Sequence, residues 1–149
     1  MNSHTDVLIS IKPKYVTHIF SGEKTVELRK RRPNISPGAR IWIYATTPIA
    51  ALKGYASLDR IVTAAPTEIW NKFGSQTGIT RQEFDGYFEG CSVAHALILS
   101  EIRVLEHPLL LERMRKMVRG FHPPQFFCRL NGSVSGLRLN SRKYHKPKH

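Results

Sequence analysis

Gly22-Glu23-Lys24-Thr25-Val26-Glu27-Leu28-Arg29 is the stretch on which the reading of this chain turns. A short helical segment ends at the glycine, and a strand begins just beyond it. Strand alternation sends Val26 and Leu28 to one face and Thr25, Glu27 and Arg29 to the other. Two environments suit such a charged face. Open to water, Glu27 and Arg29 are an ordinary exposed pair worth under ~1 kcal/mol. Lining a cleft, Lys24, Glu27 and Arg29 put a carboxylate between two cations, where it keeps its charge and accepts hydrogen bonds from a ligand.

The elements on either side of this stretch follow from pattern. Val7 to Lys12 reads as a first strand stopped by Pro13. Lys14 to Ser21 reads as a short helix whose Tyr15, Val16, Ile19 and Phe20 share a face, with Gly22 placed to end it. After the motif strand, Pro33 to Gly38 is a turn. Arg40 to Thr46 alternates Ile41, Ile43 and Ala45 against Trp42, Tyr44 and Thr46, so one face is aliphatic and the other aromatic and polar. Ala50 to Ala64 reads as a long strand bent near Gly54. Pro66 opens a helix to about Phe73. Thr80 and Glu83 form a capping box for a second helix over Arg81 to Phe88, with Tyr87 and Phe88 expected in the core. Ala94 to Leu105 is a last long strand, Leu109 to Val118 an amphipathic helix, and Phe121 to Leu130 a closing segment that packs its aromatics back.

About five strands interleaved with short helices make a mixed α/β (α+β) class, built as a small, partly open β-barrel. Residues 1–130 are expected to form one domain. Residues 131–149, with Gly132, Gly136 and serines, are expected to form a loosely ordered basic tail.

Composition narrows the partners. The 149 residues carry 23 Lys and Arg against 11 Asp and Glu, a net charge of +12 and a pI near 10.2. Such a balance attracts polyanions, and clustered basic residues with a pI above about 9 are the footprint of nucleic-acid binding. Arg29-Lys30-Arg31-Arg32 is an unbroken basic run, Arg113, Arg115, Lys116 and Arg119 crowd a later segment, and the tail adds Arg138, Arg142, Lys143, Lys146 and Lys148 without an acid. Apolar stretches fall far short of the roughly 20 residues that span a membrane, and the polar start is not a signal peptide, so a cytoplasmic protein is expected. Cys91 and Cys128 stand far apart, and neither they nor the seven histidines have the spacing of a metal site. No metal or cofactor is called for. Oligomeric state is not legible.

Gly22-x-Lys24-x-x-Glu27-x-Arg29 resembles the signature of the ASCH family. The flanks Ile9-Ser10-Ile11-Lys12-Pro13, Trp42-Ile43-Tyr44-Ala45, Phe84-x-x-Tyr87-Phe88 and Pro123-Pro124-Gln125 extend the likeness over residues 7 to 130. The resemblance implies a PUA-like fold with a nucleic-acid- or nucleotide-binding cleft beside the barrel, and RNA favoured over DNA. Binding residues are then expected at Lys12, Lys24, Glu27, Arg29, Lys30, Arg31, Arg32, Tyr44 and Thr46, with Tyr44 and Trp42 offering faces for a base worth ~1–3 kcal/mol. Ser10, Thr25 and Thr46 offer hydroxyls. An unstacked base suits such a pocket because only it exposes its Watson–Crick edge.

Binding without chemistry, as in a regulator of transcription or translation, uses all of this charge. Two enzymatic alternatives remain. A ribonuclease of this family would draw its base, acid and cations from Lys24, Glu27 and Arg29. Small ASCH amidohydrolases that act on acylated cytidine use the motif lysine, a threonine three residues later and a downstream glutamate. Here Lys24 matches, Glu27 replaces the threonine, and Gly74 to Thr80 contains no acid. Held protonated by Glu27, Lys24 is expected to be a poor base.

Overall fold

The computed structural model describes residues 6–130 and 144–145. Its backbone is a seven-stranded sheet in which only β1 (Asp6–Ile11) and β3 (Arg40–Ala45) run parallel. The order is β2-β5-β4-β3-β1-β6, with β2 (Val26–Arg29) and β6 (Phe127–Leu130) at the two ends. β4 (Ala51–Ala64) and β5 (Ala94–Leu110) form the long central hairpin. β7 (Tyr144–His145) pairs with Leu105 and Val104 of β5. Among the described residues the curled sheet does not close, since β2 has β5 alone there as its strand partner.

Register shifts between Leu52 and Gly54, Tyr55 and Ser57, and Leu58 and Arg60 bend β4 where the sequence places its bend. Gly54 is required there. A Cβ would strike the Arg103 carbonyl and come within 2.7 Å of Phe20 Cζ. At the other end of β5, Val104 pairs with Gly54 and Leu109 with Leu52, so the segment carrying His107 and Pro108 bulges out opposite Lys53. The strand therefore resumes beyond a proline that ought to stop it, and α4 (Leu111–Met117) is shorter than the amphipathic pattern suggests.

β1 and β3 are buried on both faces, and their two sets of side chains feed different cores. Val7, Ile9, Ile41 and Ile43 pack with Val16 and Ile19 of α1 (Pro13–Ser21) in the barrel interior. Leu8, Trp42 and Tyr44 pack outward with Leu52, Leu105, Phe121 and Met114 of α4. A third cluster joins Val26 and Leu28 to Ile69 of α2 (Pro66–Phe73) and to Phe84 and Phe88 around α3 (Arg81–Tyr87). Gly22 ends α1 in the left-handed region at φ 89°, and the Thr80–Glu83 capping box is formed.

One further expectation changes. The closing segment contributes a strand of its own, β6, antiparallel to β1 with Leu130 opposite Asp6. The tail expected from residue 131 lies outside the described residues except at Tyr144 and His145, which pair with β5.

Candidate functional site

The chain between α1 and β2 is short, and Lys24 is fixed at both ends of its side chain. Its backbone N–H donates to the His18 carbonyl at the end of α1, and its Nζ donates to the Thr77 carbonyl at 2.8 Å. Thr77 sits fully buried at the end of a 3-10 turn (Gly74–Gln76), with its hydroxyl on the Gly74 carbonyl at 2.7 Å. From β2, Glu27 and Arg29 point away from the Val26–Leu28 cluster, as alternation requires. Glu27 Oε1 lies 3.4 Å from Lys24 Nζ, and Oε2 accepts from Arg29 Nη2 at 2.6 Å. The same Nη2 donates to the Ser10 carbonyl of β1 at 3.1 Å, so Arg29 spans the seam where the barrel fails to close.

These three side chains form the floor of a cleft of about 390 Å³ in that seam. Ser10 and Lys12 come from the end of β1, Tyr15 from α1, Glu83 and Tyr87 from α3, and Pro124 and Gln125 from the chain entering β6. Lys24 and Glu27 are 2 % and 6 % exposed. A buried charge is tolerated only when paired and hydrogen-bonded. The triad meets that condition with one exception: among the described residues, buried Arg29 Nε has no hydrogen-bond partner. Burial lowers the Lys24 pKa below its usual 10.5, and the attraction of Glu27 offsets this only in part. Lys24 therefore holds its proton less tightly than an ordinary lysine, because desolvation in the seam exceeds the attraction of its carboxylate neighbour.

The other expected site residues separate by burial. Lys12 and Thr46 line the cleft. Lys30 lies outside it, exposed at the rim with Nζ 4.8 Å from the Tyr87 ring centre, and Arg31 and Arg32 are exposed beyond it. Tyr44 is not in the cleft. It is 2 % exposed in the outer core beneath α4, as is Trp42, whose Nε1 donates to Asp6 at 3.2 Å. Both belong to the face of β3 opposite the barrel interior, and α4 covers that face. The cleft's aromatic surfaces are instead Tyr15, 5.4 Å from Lys24 Nζ, and Tyr87, which is 39 % exposed rather than core. Phe84 and Phe88 stack inward at a four-residue spacing that leaves Tyr87 turned aside, and that spacing was the signal available in the sequence.

Ser10 donates to the Pro124 carbonyl at 2.6 Å, holding the β6 approach against β1. Thr25 does not line the cleft; its backbone N–H donates to the Gln76 carbonyl. Glu83 brings an acid to the cleft from just beyond Gly74–Thr80. It is already committed to Lys14 at 3.2 Å and to capping Thr80, whose backbone N–H, followed by Lys14, holds its pKa low. Among the described residues no cluster of His, Cys, Asp and Glu has the form of a metal site.

A half-open barrel whose seam carries a buried cation–carboxylate–cation floor between two tyrosines defines a small cleft-bearing β-module. The family model described as "Domain of unknown function (DUF365)" matches residues 4–121. An ASCH domain-containing ribonuclease of Zymomonas mobilis is 36% identical over 120 residues, covering 80% of this chain and 80% of that protein. The crystal structure of ASCH from Zymomonas mobilis superposes with a TM-score of 0.84 at 33% identity, over 90% of this chain and 94% of that one. The large ribosomal subunit protein uL22 of Ureaplasma parvum is 32% identical over 103 residues, which span 68% of this chain but 33% of that protein. This chain belongs to the ASCH-domain family and has its PUA-like fold.

Proposed function

We propose that this protein binds single-stranded RNA and takes one unstacked nucleotide into the seam cleft. The observation that carries the reading is the buried Lys24–Glu27–Arg29 floor. Three charges held out of water by mutual pairing give a ligand fixed donors and acceptors that need no rearrangement. A cleft of 390 Å³ is at the small end of ligand sites, which suits a nucleotide and excludes a duplex. Lys12, Lys30, Arg31 and Arg32 then meet the phosphates on either side, and Tyr15 and Tyr87 supply stacking faces. RNA rather than DNA is supported by the ribonuclease name of the Zymomonas relative. A cytoplasmic location fits two free cysteines with no mutual bond.

A ribonuclease reading is favoured by that name and by the lowered pKa of Lys24. In it, neutral Lys24 takes the proton of a 2′-hydroxyl, whose oxygen bonds to phosphorus as the bond to the 5′-oxygen breaks. The leaving oxygen takes a proton from water, and Arg29 faces the charge that develops on the phosphorus oxygens.

Fluorescent single-stranded RNA, duplex RNA and single-stranded DNA, titrated at two salt concentrations, separate these readings. Single-stranded RNA is expected to bind tightest. Tyr87→Ala and Lys24→Ala are expected to weaken it, and Lys72→Ala, on α2 away from the cleft, is expected to leave it unchanged. Equal weakening by Lys72→Ala would remove the cleft from the account. Gel analysis after incubation reports cleavage, and cleavage lost in Lys24→Arg assigns the base.

A further inference from the structure

The charged groups on the cleft floor stand in an order that one nucleobase edge complements. From side to side they run Lys24 Nζ, Glu27 Oε1, Glu27 Oε2 and the Arg29 guanidinium, which is donor, acceptor, acceptor, donor. A carboxylate has about four lone-pair directions. Among the described residues one on each oxygen is used, by Lys24 at 3.4 Å and by Arg29 at 2.6 Å, so each oxygen keeps acceptor capacity. The guanidinium spends Nη2 on Ser10 and Glu27, while its buried Nε has no acceptor among the described residues.

The Watson–Crick edge of guanine, continued to N3, reads acceptor at O6, donor at N1, donor at N2 and acceptor at N3. Two adjacent N–H groups meet two carboxylate oxygens, O6 falls on the arginine side and N3 on the lysine side. No other RNA base presents two adjacent donors. Uracil offers one N–H between two carbonyls, and adenine and cytosine each set a ring nitrogen acceptor beside their amino group. Any of these would turn an acceptor toward a carboxylate oxygen in a desolvated site, and an unpaired buried acceptor is costly.

We propose that the cleft is a guanine-reading site: Glu27 accepts from N1 and N2, Arg29 donates to O6, and Lys24 donates to N3. The proposal rests on the RNA-binding reading above and names the base that reading leaves open. Tyr15 and Tyr87, on the walls of the same cleft, supply ring faces that are indifferent to base identity, so discrimination falls to the floor.

The test uses the full-length wild-type chain and five-nucleotide RNAs, UUNUU, with the central base varied. Guanine is expected to bind about tenfold or more tighter than adenine, cytosine or uracil, the scale of one bidentate base contact. Inosine, which lacks the N2 amino group, is expected to fall between. 7-Deazaguanine keeps this edge and is expected to match guanine; N1-methylguanine is expected to drop to the level of adenine. Equal affinity for all four bases, or inosine equal to guanine, overturns the guanine site. If Tyr87→Ala still weakens binding in that case, the RNA-binding cleft stands without it. Absence of RNA binding, or binding untouched by Tyr87→Ala, overturns the function itself. Glu27→Gln, where circular dichroism shows it folded, is expected to level the four affinities.

Discussion

Residues 24–29 and residues 30–32 hold the same kinds of cation within nine positions, yet they do different physical work. Lys24 and Arg29 lie in the seam of the barrel, each committed to Glu27 and to a backbone carbonyl. Lys30, Arg31 and Arg32 begin where β2 ends and stand in solvent. Charge in solvent is screened within about a Debye length and attracts phosphate from any direction. Charge in the seam is shielded from salt and oriented, so it can tell one ligand from another. In the RNA-binding reading proposed above, the run gathers the polyanion and the floor selects within it.

The comparison breaks most visibly if the floor is cut. Glu27→Ala leaves two buried cations without their shared carboxylate and is expected to cost about 3–5 kcal/mol in urea unfolding. Arg31→Ala is expected to stay within about 0.5 kcal/mol. Similar small losses would mean that water screens the floor as it screens the run.

The two tyrosines that exchange their expected roles sharpen it next. Tyr87→Ala is expected to lower RNA affinity by ~1–3 kcal/mol with little change in stability. Tyr44→Ala, which empties part of the outer core, is expected to destabilise by about 3–5 kcal/mol while the folded fraction binds normally.

Replacing Lys30, Arg31 and Arg32 together by alanine is expected to lessen the slope of log affinity against log salt by about 0.7 for each phosphate these side chains no longer neutralise. Lys24→Ala is expected to lower affinity and leave that slope nearly unchanged. pH divides them in the same way. Because burial lowers the Lys24 pKa, the folded chain releases this proton below 10.5 while the unfolded chain still holds it. Over that window stability rises with pH, and RNA affinity falls as the floor loses a charge. Lys24→Arg is expected to flatten the fall in a binding titration from pH 7 to 10.

The smallest effect lies at the cleft wall. Thr80→Ala removes the capping box and is expected to cost about 1 kcal/mol. The lowered pKa of Glu83 contributes stability above its usual 4.5 that is lost as pH falls through its folded value, and this acid loss is expected to shrink in the variant. Unfolding curves at pH 7 and pH 3 check both.

Much of the frame was legible locally. The alternation from Thr25 to Arg29, the stop at Gly22, the Thr80–Glu83 box and the bend at Gly54 each depend on neighbours in sequence, and each stands where pattern put it. The two faces of Arg40–Ala45 were also distinguishable. Which face was open was not, because α4, about seventy residues later, decides it. The aromatic face of Trp42 and Tyr44 is the covered one. Lys12, Thr46 and the motif charges line one cleft; Tyr87 was legible from the Phe84–Phe88 spacing that turns it aside, whereas Tyr15 joins through helix placement that no local spacing encodes. β5 past Pro108 and strand β6 escaped notice for a related reason: both exist through pairing with distant strands, β4 and β1.

Strand β6 also ties early and late parts of the chain into one ladder. Leu130 lies directly across from Asp6, although the two are far apart in sequence. A backbone cut at the exposed Ser36–Gly38 turn would leave β1 held between β3 and β6, both from the far side of the break, and it spares every residue of the seam.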